Sequence, residues 1–357
     1  MSKYLFLVQG EGKGHLTQAI TLSQLLRANG HQVEVLVGSA KDRAIPSFFL
    51  SQIGAKVEQY VSPQFIFEKD GSINFAKNIL YHLQYTLRYF RSIKAINQTV
   101  KIYQPHTIVN FYELLCGLYS IVYRPQTPIV CVGHHYLMLH SDFIFPKGHW
   151  LDHQLLNLST RFTAARATKL LALSFRPMPN QPINRVVVVP PLIRQEIGQL
   201  TISDEPYWLV YVNYPHLMAD IIEWSEANPS IKLCCFCSHT YPTPVHQYSN
   251  SLVFNELDGT KFLQAMARCQ ALVTTAGFES VCEALYLGKP AMMVPVHFEQ
   301  TCNALDAEQA GAGVAAQRFD LSVLADYLPK HSNQATPQFR DWYNGNNDLI
   351  LKELESI

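Results

Sequence analysis

Charge is scarce in this chain, and neither sign prevails. Only 16% of its 357 residues are charged, and 28 Lys and Arg balance 28 Asp and Glu, where an average soluble domain is about a quarter charged. A protein that tracks polyanionic nucleic acid carries a basic excess, which is missing here. No apolar run approaches the roughly 20 residues that span a bilayer. Met1-Ser2-Lys3 and the short run Tyr4 to Val8 turn polar too soon for a signal peptide. Eight cysteines at irregular spacing give no disulfide framework, so the expected compartment is the cytosol. What the chain does have is 48% hydrophobic and 11% aromatic residues, which excludes disorder and provides a large core.

The order of patterns is doubly wound α/β. Tyr4 to Val8 reads as a strand buried on both faces, and Leu16, Ala19, Ile20, Leu22, Leu25 and Leu26 follow at helical spacing up to Asn29-Gly30. Further strands are expected at Val33 to Val37, Lys56 to Val61, Thr107 to Phe111, Pro128 to Val132, Lys169 to Leu173 and Arg185 to Val189. After Pro190-Pro191 and the polar stretch through Pro206 the rhythm restarts at Tyr207 to Val212. The remaining strands are expected at Ile231 to Phe236, Ser251 to Phe254, Ala271 to Thr274 and Ala291 to Val294. Two Rossmann-like domains are therefore expected, 1–195 and 196–336, hinged near 191–205. A last helix over 337–357 is expected to cross back to the first domain.

Glycine is also scarce, 17 of 357, yet Gly10, Gly12 and Gly14 fall within five residues after the first strand. A P-loop needs Gly-Lys followed by Ser or Thr, and here Gly14 and His15 follow. A dinucleotide fingerprint needs GxGxxG and an acid ending the second strand, where this chain has Val37-Gly38-Ser39. A third reading is a tight turn that brings backbone close to a ligand and presents His15 at a helix N-terminus. There N–H groups face an anion, and the dipole would lower the imidazole pKa. The plain alternative is a strand–helix turn with His15 on its surface.

In the second half, Thr274 to Leu285 follows a buried strand, with Gly277 at its end and Glu279 and Glu283 one helical turn apart. Gly288-Lys289-Pro290 closes that helix, and His297, Glu299, Gln300 and Asn303-Ala304 open another. The carboxyl ends of adjacent strands thus carry an anion-type helix start, two acids, an amide and a histidine, at the edge where open α/β sheets bind ligands.

The order Gly277, Glu283-Ala284, Gly288-x-Pro290, Pro295, Glu299-Gln300, Asn303-Ala304, Gly311 resembles the donor signature of GT-B nucleotide-sugar glycosyltransferases. The likeness is to the branch with the lipid II-forming N-acetylglucosaminyltransferase and the galactolipid synthases. Gly12-x-Gly14-His15 is similar to that branch's N-terminal loop, and Pro190 to Arg194 to its hinge entry. The resemblance implies two domains facing each other across a cleft. It implies that Glu283 accepts ribose hydroxyls, that Gly277, Phe278, Glu279 and Ser280 hold the diphosphate, and that Glu299 and Gln300 contact the sugar. Gly12 and Gly14 would approach the donor, Arg194 its phosphates, and His15 would be base or diphosphate partner.

It further implies inverting transfer from a UDP-sugar to an unidentified acceptor (glycolipid, glycan or small metabolite) with helix dipoles rather than a metal at the diphosphate. No Asp-x-Asp motif is present, so no metal and no cofactor is expected. Two positions depart from the family: Asn213-Tyr214-Pro215-His216 replaces its second glycine-rich loop, and Glu279 stands where small residues are usual. The alternatives are a nucleotide-sugar hydrolase or epimerase on the same fold, or a binding protein that has lost catalysis.

Glu113 and the pair His134-His135 follow first-domain strands. Glu113 and His135 are candidates to orient the acceptor or assist His15, against the plainer reading of hydrogen-bonded loop residues. Cys234-Cys235-Phe236-Cys237 with His239 lacks a second ligand pair and reads as strand cysteines. No Asp or Glu occurs from Gly71 to Tyr112, where Lys77, Arg88, Arg91, Lys94 and Lys101 accompany an apolar face of Leu80, Leu83, Leu87 and Phe90. That segment reads as an ordinary domain helix with a solvated basic face, or as one that rests on an anionic membrane surface at the inner face of the membrane.

Overall fold

The computed structural model describes residues 1–64, 75–212, 214, 217–237 and 245–357, with only the backbone of 75–77 and 79 considered. The chain divides into two compact units, one of Met1–Phe143, Trp150–Ile193 and Asn346–Ile357, the other of Ile144–His149 and Arg194–Gly345.

The first unit begins with β1 (Lys3–Gln9), α1 (Lys13–Ala28), β2 (Gln32–Ser39), α2 (Ser47–Gln52) and β3 (Lys56–Val61). It continues through α3 (Phe75–Tyr103), β4 (Thr107–Phe111), α4 (Leu114–Tyr123), β5 (Ile129–Gly133), α5 (Trp150–Thr163), β6 (Lys169–Leu173) and β7 (Val186–Val189). Its seven parallel strands run in the order β3-β2-β1-β4-β5-β6-β7. Tyr4 to Val8 are all buried, as a central parallel strand covered on both faces requires. The order reverses at β1, so the carboxyl ends of β1 and β4 form the switch point at which such sheets open a crevice.

The second unit holds β8 (Tyr207–Val212), α6 (Met218–Ala227), β9 (Lys232–Cys237), β10 (Val245–Gln247), β11 (Leu252–Glu256), α7 (Gly259–Arg268), β12 (Ala271–Thr274) and α8 (Phe278–Leu287). After them come β13 (Ala291–Met293), α9 (Phe298–Gln309), β14 (Gly313–Ala315), α10 (Ser322–Tyr327) and α11 (Ala335–Gly345). The sheet order is β10-β11-β9-β8-β12-β13-β14, parallel except for β10 against β11, and its switch point lies between β8 and β12. Trp208 stacks on Trp224 at 5.6 Å in a core that also takes Cys235, Cys237, Phe254 and Met292. The strand cysteines pack as apolar side chains, while His239 lies outside the described residues.

Three expectations need adjustment. The helix expected over 337–357 is two, α11 and α12 (Leu349–Glu355). α11 lies in the second unit, where Arg340 Nε donates to the Tyr286 carbonyl at 2.7 Å. α12 lies in the first, where Lys169 Nζ donates to the Glu353 carbonyl at 2.9 Å. Secondly, β10 and β14, three residues each, are strands beyond those expected. Thirdly, the Leu80/Leu83/Leu87/Phe90 face of α3 is not the packed one: those side chains are 61%, 65%, 74% and 55% exposed, while Tyr89, Ile93, Ile96 and Val100 are buried. Among the described residues no helix is long and apolar enough to cross a membrane.

Candidate functional site

In the first unit the Gly10–Gly14 turn is fixed from below. Gly10 N–H donates to the Gly38 carbonyl at 2.7 Å, and a Cβ at Gly10 would meet Val37 at 2.8 Å. Glu11 accepts from Ala40 N–H at 3.1 Å and pairs with Arg43. Gly12, the N-cap of α1, offers no side-chain cap and has nothing within 4 Å of where a Cβ would stand. The first N–H groups of α1 are therefore not satisfied by a cap, and Gly14 lies in the same turn.

His15 follows, and the structure brings it together with His135. Their rings lie 5.4 Å apart, and Tyr112 joins both, stacked on His135 at 3.9 Å and 24° and on His15 at 5.7 Å and 18°. Tyr112 takes a left-handed backbone, φ +57°, which an L-residue adopts at a cost when its surroundings impose it. Its hydroxyl lies 2.9 Å from Thr160 Oγ1. Neighbouring His134 turns the other way: it is buried, with Nδ1 2.8 Å from the Leu173 carbonyl.

Glu113 does not join this cluster. It is fully buried and caps α4, accepting from Leu115 N–H at 3.1 Å and from Ser62 Oγ–H. Burial pushes its carboxyl up to about 7, and a Cβ at Gly38 would overlap it. The structure thus places Glu113 in the interior, at the cap of α4.

In the second unit Arg194 and Glu283 meet in a bidentate pair, Nε to Oε1 and Nη2 to Oε2, both at 2.6 Å. Nη1 adds a bond of 2.7 Å to the Gly259 carbonyl. Burial works against the Arg194 charge, but the Glu283 carboxylate outweighs it and pushes the guanidinium's pKa up. Arg194, expected at the donor phosphates, has its guanidinium on the Glu283 carboxylate.

Beside this pair α8 starts at Gly277 without a side-chain cap. Its first turn holds Phe278, Glu279 and Ser280, whose Oγ donates to the Gly277 carbonyl at 3.1 Å. Phe278 is buried, and Glu279 lies one turn before Glu283. Ala276, immediately before, is left-handed at φ +60°. α9 is tied to the same turn: Asn303 Nδ2 donates to the Ala276 carbonyl at 3.3 Å and to Glu299 Oε1 at 2.7 Å. His297 Nδ1 stands 3.5 Å from Glu299 Oε2, and Gln300 Oε1 accepts from Val296 N–H at 3.1 Å. Gly288, left-handed at φ +75°, ends α8. Asn213, Pro215 and His216, which replace the expected second glycine loop, lie outside the described residues.

Sequence comparison decides the family. The profile described as Glycosyl transferase family 1 matches residues 2–331. The chain belongs to glycosyl transferase family 1. This glycosyltransferase is 22% identical, over 92% of its length and 89% of the relative's, to a Leuconostoc mesenteroides UDP-N-acetylglucosamine--N-acetylmuramyl-(pentapeptide) pyrophosphoryl-undecaprenol N-acetylglucosamine transferase. A 73-residue stretch, 20% of the chain, is 37% identical to a putative UDP-glucuronosyltransferase of Caenorhabditis elegans and spans only 14% of that protein. The kitacinnamycin glycotransferase structure superposes with a TM-score of 0.65 at 13% identity, covering 98% of both chains. Phytolacca americana UGT2, solved with UDP-2fluoro-glucose and pterostilbene, gives 0.64 at 13% identity over 100% of this chain and 99% of the other. The fold of the glycosyltransferase is thus the GT-B fold expected from its donor-type motif.

The sequence reading missed Tyr112 and the tie from Asn303 to Ala276. Tyr112 lacked any motif signal beyond its place after β4. Asn303 was visible in the motif, but its partners lie on another helix start.

Proposed function

We propose that the second unit binds a nucleoside-diphosphate sugar, a UDP-sugar, for transfer to an acceptor hydroxyl. The observation that carries this is the Arg194–Glu283 pair beside the uncapped start of α8. Arg194 orients the carboxylate through two hydrogen bonds, and each carboxylate oxygen retains a lone pair for a ribose hydroxyl. The N–H groups from Gly277 to Ser280 and the α8 dipole face the diphosphate, so departing charge is met without a metal. Glu299, held by Asn303, and Gln300 serve the sugar hydroxyls.

His15 takes the proton from the acceptor hydroxyl. The oxygen then bonds to the anomeric carbon, the carbon–oxygen bond to the diphosphate breaks, and configuration inverts. Tyr112 and His135 hold the His15 ring.

A thermal-shift series with UDP, GDP, dTDP, CDP, NAD and ATP tests the donor class, since a ligand of the native state raises Tm by mass action. UDP is expected to stabilise the wild type and to lose that effect in Glu283→Ala. Stabilisation by NAD or ATP alone, or by nothing, overturns the reading.

A further inference from the structure

α3 carries two apolar faces, and among the described residues only one is packed. Tyr89, Ile93, Ile96 and Val100 are buried against the first unit. Leu80, Leu83, Leu87 and Phe90, spaced i, i+3, i+7, i+10, lie one above another on the helix surface and are each more than half exposed. Four large exposed side chains in one stripe exceed the scattered apolar surface usual on a soluble protein.

The charge carried by the helix itself is of one sign. Arg91, Lys94 and Lys101 are exposed on the same helix, and Arg88 sits over the Tyr85 ring at 5.0 Å. No carboxylate occurs between Gly71 and Tyr112. Tyr81 and Tyr85, 4.6 Å apart, flank the leucines with rings that suit an apolar–polar boundary.

From this geometry we infer that the outer face of α3 docks on an anionic lipid bilayer, its leucines and Phe90 entering the acyl boundary and its cations meeting lipid phosphates. A second copy of the chain fits less well, because a two-fold contact through α3 would set these cations against each other. The stripe also lies toward the carboxyl edge of the first sheet. Ser92 Oγ donates at 2.7 Å to the carbonyl of Val61, the last residue of β3, and the stripe precedes Ser92. Docking would therefore bring to the lipid the same sheet edge that carries His15.

The test is co-sedimentation of the full chain with phosphatidylcholine vesicles, with and without phosphatidylglycerol, beside a Leu83→Ser/Leu87→Ser variant and an Arg91→Glu/Lys94→Glu variant. Wild type is expected to bind the anionic vesicles at least about tenfold better than neutral ones, and less well as salt rises. Each double variant should lose about tenfold or more while keeping the wild-type melting curve, since the altered side chains are exposed. Equal binding to both vesicle types, or binding to neither, overturns the inference. So does a wild-type dimer that Leu83→Ser/Leu87→Ser dissociates. None of these results depends on nucleotide binding.

Discussion

Arg194 and Glu283 are held as one unit: two parallel hydrogen bonds of 2.6 Å join a guanidinium to a carboxylate that is 2% exposed. Their positions are 89 residues apart, one at the entry to the second unit and the other in the middle of α8. A fork-on-carboxylate contact fixes orientation as well as charge.

Arg194→Ala leaves the Glu283 carboxylate buried without its cation, and a broken buried pair costs about 3–5 kcal/mol. Glu283→Gln, which keeps the shape and removes the charge, should destabilise less. Urea unfolding of the two variants checks the order. Equal stabilities for wild type and Arg194→Ala would mean that the pair does not hold the fold.

The buried carboxyl of Glu113 makes stability depend on pH. Its pKa is raised by burial from an ordinary value of 4.5 to about 7, so between these values the folded state binds the proton that the unfolded state has released. Stability from this group is full below 4.5 and is lost as pH rises through 7, by about 3 kcal/mol in all. Glu113→Gln should flatten this dependence and be the more stable protein at pH 8 relative to its own value at pH 5. Parallel slopes for the two proteins between pH 5 and 8 would contradict it.

Tyr112 is expected to act through His15 and His135. Tyr112→Ala removes the 3.9 Å stack and should lower kcat about tenfold or more through loss of position, with the KM for donor unchanged. Tyr112→Phe keeps the ring and loses the hydroxyl, which lies 2.9 Å from Thr160 Oγ1 and 3.4 Å from Ser159 Oγ, a loss of about 1 kcal/mol of stability. A Tyr112→Ala enzyme with wild-type kcat would remove the residue from the mechanism.

The folding pattern was legible wherever burial was uniform. β1, β4, β6, β8 and β12 lie where continuous apolar runs such as Tyr4 to Val8 and Ala271 to Thr274 place them. The donor-type motif was legible because Gly277, Glu283, Gly288 and Gln300 must keep their spacing along one strand–helix–strand path. Contacts between distant stretches were not legible. Nothing near Arg194 announces Glu283 as its partner, and nothing near Asn303 announces the Ala276 carbonyl. The leucines of α3 show the converse failure: helical spacing revealed an apolar face, but two such faces share that helix and only packing tells which is covered. Glu113 was legible as a position after β4, while its burial under Gly38 and Ser62 depends on neighbouring strands.

The central claim is that Glu283 receives the ribose hydroxyls of a nucleoside diphosphate. Titration calorimetry of UDP against 2′,3′-dideoxy-UDP, on wild type and Glu283→Ala, tests it most directly. Hydrogen bonds to a charged acceptor are worth about 1.5–3 kcal/mol, so wild type should prefer UDP by at least about tenfold, and Glu283→Ala should bind the two alike. A wild-type protein that binds both nucleotides equally well, or neither, would contradict the account.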